Sequence, residues 1–130
     1  MDMDVTFPGG KKVEVAYKGH TILTDQPVAS GGEDAAPAPF DLFLVSIGSC
    51  TGYYVMTFCQ TRNIPTEGAG VGLDFTWDDK LKRITYIRVN IRLPAGFPDR
   101  YRKAVMRAAR ACTVTRNLEN PPEIELETQP

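Results

Sequence analysis

The sequence is short of the residues from which most metal and acid–base centres are built. It holds one histidine, His20, and three cysteines, no two of them in CxxC spacing. Neither a zinc site nor any centre needing two imidazoles is expected, so no metal is assigned. No Gly-rich phosphate loop follows a strand and no nucleophilic serine elbow is present, so no nucleotide or other cofactor is assigned. Neither sign of charge prevails: 15 Lys plus Arg stand against 16 Asp plus Glu. That excludes a basic field for non-specific nucleic-acid binding. No apolar stretch approaches the roughly 20 residues that span a bilayer, so no membrane partner is expected. The acidic start Met1-Asp2-Met3-Asp4 is unlike a signal peptide. An odd number of cysteines in a chain of this size suits a reducing cytoplasm better than a disulfide scaffold.

What is present is a globular composition, 42% hydrophobic and 24% charged over 130 residues. At roughly 100–200 residues per domain this predicts one domain, residues 1–130. Val5 and Phe7 before Pro8-Gly9-Gly10, then Val13, Val15 and Tyr17 in alternation, predict a hairpin. His20–Asp25 reads as a third strand and Gln26–Pro39 as a loop. The stretch from Pro39 to Asn63 carries charge only at Asp41 and Arg62. It predicts a buried central helix, apolar all round, stopped by Asn63-Ile64-Pro65. Val71–Trp77 and Ile87–Leu93 alternate as a second hairpin about Asp78-Asp79-Lys80. Asp99–Ala111 predicts an amphipathic helix capped by Asp99, and a short helix follows Cys112 to about Leu118. Glu123–Glu127 alternates as a last strand. The order β-β-β-α-β-β-α-α-β is an α+β fold.

Helical phase sorts the cysteines. At about 100° per residue, Phe43, Ile47, Cys50, Tyr54 and Phe58 form one stripe. Cys59, nine residues beyond Cys50, is expected to face the other way. On the later helix Tyr101, Val105, Ala108 and Cys112 share a stripe, so Cys50 and Cys112 can meet if both stripes face one core. Buried free cysteine is also an ordinary small hydrophobe, and pattern alone leaves both readings open.

The segment Gly19-His20-Thr21-Ile22-Leu23-Thr24-Asp25-Gln26-Pro27 resembles one common in OsmC-like proteins. So does Ala38-Pro39-Phe40-Asp41 followed by the apolar run into Gly48-Ser49-Cys50-Thr51. Ala111-Cys112-Thr113-Val114 is similar to the second cysteine site of that family, and the two cysteines lie 62 residues apart, as there. The resemblance is to the osmotically inducible protein C and organic hydroperoxide resistance family, and it spans nearly the whole chain. It implies an intertwined homodimer and a thiol-dependent peroxidase acting in the antioxidant stress response. Cys50 would be the nucleophile that reduces an organic hydroperoxide to its alcohol and becomes a sulfenic acid. Cys112 would resolve it as a disulfide, which an external dithiol reduces.

Asp41 stands where the family usually has Glu, a carboxylate thought to hold a cation near the thiolate. On one unbroken helix Asp41 points away from Cys50. Either Gly48-Ser49 interrupts the helix, or Asp41 serves the partner subunit. Members with strong activity carry an Arg in the N-terminal hairpin region, and this chain offers only Lys11, Lys12 and Lys18 there. The remaining candidates for a cation beside Cys50 are Arg116, Lys18 and His20. Arg116, four residues after Cys112, is favoured. The alternative to an enzyme is a binding protein on the same scaffold, holding an apolar ligand or a reactive sulfur species in the dimer pocket.

Overall fold

A computed structural model describes residues 2–130. The chain divides into two compact units, one running up to Val45 and the other Ser46–Pro130. In the first, β1 (Met3–Gly9), β2 (Lys12–Tyr17) and β3 (His20–Thr24) form an antiparallel sheet in that order. Lys18 and Gly19 both take positive φ, the two-residue turn that matches the twist of the flanking strands. Val5, Val15 and Ile22 lie abreast across the three strands, and Val5 and Ile22 are exposed.

Asp25 closes this unit. Its buried carboxylate accepts the amide protons of Gln26 (2.8 Å), Glu33 (3.2 Å) and Ala35 (3.1 Å), folding the Gly/Ala-rich loop back on itself. Gly32 is required there, because a Cβ would lie 2.0 Å from the Gln26 carbonyl oxygen. The Lys12 ammonium reaches Glu33 at 2.8 Å.

The helix α1 (Pro39–Thr61) crosses from one unit to the other. Pro39 opens it, as a residue with no N–H to lose. The Asp41 carboxylate accepts the Ala38 amide proton at 2.9 Å and closes the first turn. At the far end Asn63 sits at φ 55°, with Ile64 N–H on the Cys59 carbonyl (2.9 Å) and Asn63 N–H on that of Gln60 (3.2 Å). This is the left-handed helix stop, with Asn in the place usually held by Gly. The helix runs unbroken through Gly48-Ser49. Its 23 residues are long and apolar enough to cross a membrane by length and composition, which corrects the expectation that no stretch is. Ser, Thr and Gly interrupt the apolar run without lowering its average enough to exclude a span. The helix nonetheless supplies Val55, Phe58 and Cys59 to a side-chain core.

In the second unit β4 (Gly70–Asp78) and β5 (Arg83–Arg92) form an antiparallel hairpin. Gly48 and Gly52 of α1 leave room for Leu73 and Val71 of β4, whose side chains would stand 3.4 and 3.9 Å from a Cβ at those positions. A 3-10 turn, Asp99–Tyr101, leads into α2 (Arg102–Arg110), and α3 (Thr113–Glu119) follows. Asp99 does not cap α2. It lies one turn earlier and pairs with Arg102 at 2.9 Å. The core gathers Val55, Phe58, Cys59, Phe97, Val105 and Ala109. Arg62 lays its guanidinium over the Phe58 ring at 3.6 Å.

Two further expectations change. The last strand does not form: residues 121–130 carry no strand. Pro121-Pro122 follow the end of α3, and the alternating segment beyond pairs with no strand among the described residues. Its Ile124 and Leu126 are 81% and 92% exposed. The buried stripe of α1 is Ile47, Thr51, Val55, Phe58 and Cys59, one residue round from the expected one. Cys59 therefore sits in the core and Cys50 at the stripe's edge.

The three amide donors hold the Asp25 carboxyl below the usual carboxylate range, with burial opposing them. A lowered folded-state value stabilises the loop above the unfolded value of about 3.9 and is lost as pH falls through the folded one. Asp25→Asn is expected to speed amide hydrogen exchange at Glu33 and Ala35 by at least about tenfold at neutral pH. Wild type should approach the variant only in acid. Equal exchange at neutral pH would show that the carboxylate does not hold the loop.

Candidate functional site

Three segments of the second unit meet at a sulfur atom. Ala111 ends α2, and Cys112 turns to extended backbone, φ −62° and ψ 146°, to become the capping residue of α3. Its Sγ accepts the Thr115 amide proton at 3.3 Å and lies 3.0 Å from Thr115 Oγ1. The side chains of Cys50 and Thr51, from α1, lie near enough to favour its thiolate. The expected meeting of Cys50 with Cys112 is thus realised, both as free thiols. Nearby, the Tyr54 hydroxyl is 3.2 Å from Thr113 Oγ1, a second tie between α1 and α3.

The thiols differ in access and in charge preference. Cys112 is fully buried, whereas Cys50 is half-buried. Burial pushes the Cys112 thiol up, but hydrogen bonds from the Thr115 hydroxyl and amide, Cys50 and Thr51 outweigh it, and the thiol falls below its ordinary value. Cys59, also 0% exposed, is pushed up by burial, with the Arg62 guanidinium opposing. A thiol held protonated in a core is chemically inert.

A cavity of about 190 Å³ opens against Thr51, next to Cys50 in the chain, and Thr115, the hydrogen-bond partner of Cys112. Ile87, Val89, Ile91 and Met106 line it as well. Arg110 stands at this cavity and pairs with Glu119 at 2.6 Å. A larger cavity, about 380 Å³, lies elsewhere along α1 against Gly48, Gly52 and Gly70, and among the described residues no titratable side chain lines it. The smaller one adjoins the chemistry.

Of the other sequence candidates, Asp41 belongs to the first unit, where its carboxylate takes the Ala38 amide proton. Arg116 is exposed on α3. His20 and Lys18 are exposed at the β2–β3 turn. Sequence reasoning missed Thr51 and Thr115. The signal was available in Cys112-Thr113-Val114-Thr115, where a capping residue meets the amide three positions on. Among the described residues, no three of His, Cys, Asp and Glu are grouped to hold a metal ion.

The profile of the OsmC-like protein family matches residues 31–127. The chain belongs to that family. Solved structures agree on the fold. A protein of Psychrobacter arcticus ascribed to the osmotic stress induced and detoxification response superposes with a TM-score of 0.75 at 21% identity, over 88% of this chain and 85% of that one. An OsmC-like protein from Mycoplasma pneumoniae gives 0.73 at 10% identity, over 92% and 87%. An organic hydroperoxide resistance protein OsmC from Legionella pneumophila gives 0.58 at 15% identity, over 90% and 87%. At these identities the likeness is one of fold. No curated protein matches the sequence.

Thr115→Val removes the hydroxyl donor and keeps the side-chain shape. It is expected to move the Cys112 titration upward, read by ultraviolet thiolate absorbance in a Cys59→Ala background. An unmoved titration would show that the hydroxyl does not stabilise the thiolate.

Proposed function

We propose that the protein is an organic hydroperoxide reductase that uses Cys50 and Cys112 as a redox pair. The observation that carries this reading is the nearness of two free thiols, Cys50 favouring the thiolate of Cys112, with a cavity against the neighbouring Thr51 and Thr115. Cys50, the more accessible thiol, attacks the terminal peroxide oxygen as its thiolate. The O–O bond breaks, the alcohol leaves, and Cys50 becomes a sulfenic acid. The Cys112 thiolate then displaces water from the sulfenic sulfur and the disulfide forms. An external dithiol returns both sulfurs to thiols. The aliphatic lining favours hydroperoxides with an apolar body over hydrogen peroxide.

The active form in this proposal is a homodimer. Three features support it: the apolar row of Val5, Val15 and Ile22, the exposed Val45, Tyr53 and Met56 on α1, and the unpaired alternating segment 123–127. Each is a surface that a second copy would cover, as in a divided core. Because α1 is unbroken, Asp41 in this proposal serves the partner subunit's pair rather than its own. Arg116 is the cation proposed to join it.

Cys50→Ser is expected to abolish cumene hydroperoxide consumption with a dithiol as reductant. Peptide mapping after one equivalent of peroxide should find Cys50 bridged to Cys112 and Cys59 free. Turnover at the wild-type rate in the variant, or Cys59 in the main bridge, would refute the assignment. A slow, unselective loss of all three thiols would favour the binding protein instead.

Light scattering at micromolar concentration is expected to give twice the chain mass of 14.4 kDa. A stable species at the chain mass would refute the dimer.

A further inference from the structure

The two sulfurs of the pair are built unequally, and the inequality bears on how a disulfide between them would be opened. In thiol–disulfide exchange an incoming thiolate attacks one sulfur in line, and the other leaves with the bonding electron pair. Access decides which sulfur is attacked. Stabilisation of the departing charge decides which one leaves well. At this site both criteria select the same direction. Cys50 is half-buried and Cys112 is 0% exposed. The donors surround Cys112: Thr115 N–H at 3.3 Å, Thr115 Oγ1 at 3.0 Å, and the Thr51 side chain. When the sulfur carries charge the Thr115 hydroxyl is the donor, and hydrogen bonds to a charged acceptor are roughly twice as strong as neutral ones.

We infer that the Cys50–Cys112 disulfide is reduced in one direction, with the external dithiol attacking Cys50 and Cys112 leaving as a thiolate held by Thr115. This rests on the redox-pair reading above and adds to it the site of attack and a role for Thr115. In the first step a thiolate of the reductant bonds to Cys50 Sγ and the S–S bond breaks, its electron pair going to Cys112 Sγ. In the second, the reductant's other thiol, as thiolate, attacks its own sulfur in the mixed disulfide. The reductant leaves as its cyclic disulfide and Cys50 is released as a thiolate. Two electrons pass from the dithiol to the protein pair. Cys112 is thus the leaving group of the reductive half, and Thr115 touches the reacting sulfur. The amide donor is fixed by the turn into α3, so only the hydroxyl can be removed by substitution.

The disulfide is prepared with diamide, so that peroxide plays no part and a failure of peroxidase activity leaves the measurement intact. The wild-type protein is then exposed briefly to the monothiol 2-mercaptoethanol, quenched in acid and mapped by mass spectrometry. The adduct is expected on Cys50, with Cys112 as the free thiol. Thr115→Val is expected to slow reduction by dithiothreitol about tenfold, and Thr115→Ser to restore it. An adduct on Cys112 would overturn the inference, as would unchanged reduction in Thr115→Val or failure of diamide to join Cys50 to Cys112. The adduct map needs no variant, so the inference can be refuted even where a substitution perturbs folding.

Discussion

A sulfur atom shut away from water can carry charge only if the protein supplies the donors. At Cys112 that requirement ties together chain segments distant in sequence. Thr115 comes from α3, and Cys50 and Thr51 from α1. For these groups to converge, α2 must stop at Ala111 so that Cys112 can turn outward and cap α3. The helix α1 must also bury the Thr51–Val55 side of its surface, which brings Cys50 to the edge of the contact. The hairpin β4–β5 completes the arrangement, its Ile87, Val89 and Ile91 forming the apolar wall of the adjoining cavity. Core packing and the thiol site are therefore one construction, with Ala109 belonging both to the core cluster and to the cavity lining.

The three thiols show how environment separates residues of one type. Cys59 lies among Val55, Phe58 and Val105 and is held protonated. Cys112 is as deeply buried, yet its neighbours donate hydrogen bonds and its thiol is lowered. Burial alone does not distinguish them. The polarity of the contacted atoms does, and Thr115 is the main difference.

Much of this could be read from the sequence because periodicity and punctuation are local. Alternation marked the five strands that form, and Pro39 and Asn63 bracketed α1 within two residues. The nearness of Cys50 and Cys112 was legible in the resemblance of their flanking motifs, whereas helical phase placed the α1 stripe one residue off and Cys112 on a helix that stops before it. Finer placement failed where it depended on tertiary contact. A turn of one residue about the α1 axis, which local periodicity does not fix, put Cys59 in the core. Alternation at Glu123–Glu127 is a necessary mark of a strand but supplies no partner edge. Asp99 has the chemistry of a cap, yet a 3-10 turn precedes α2 and displaces it. Thr115 escaped notice because its importance lies in what Cys112 does with its own backbone.

The donors around Cys112 are hydroxyl, amide and thiol groups, all uncharged. Dissolved salt screens the attraction between a thiolate and a nearby guanidinium, but it does little to a hydrogen bond buried out of reach of solvent ions. The hydrogen bonds that hold the Cys112 sulfur are therefore the part of the site that rising ionic strength leaves nearly unchanged.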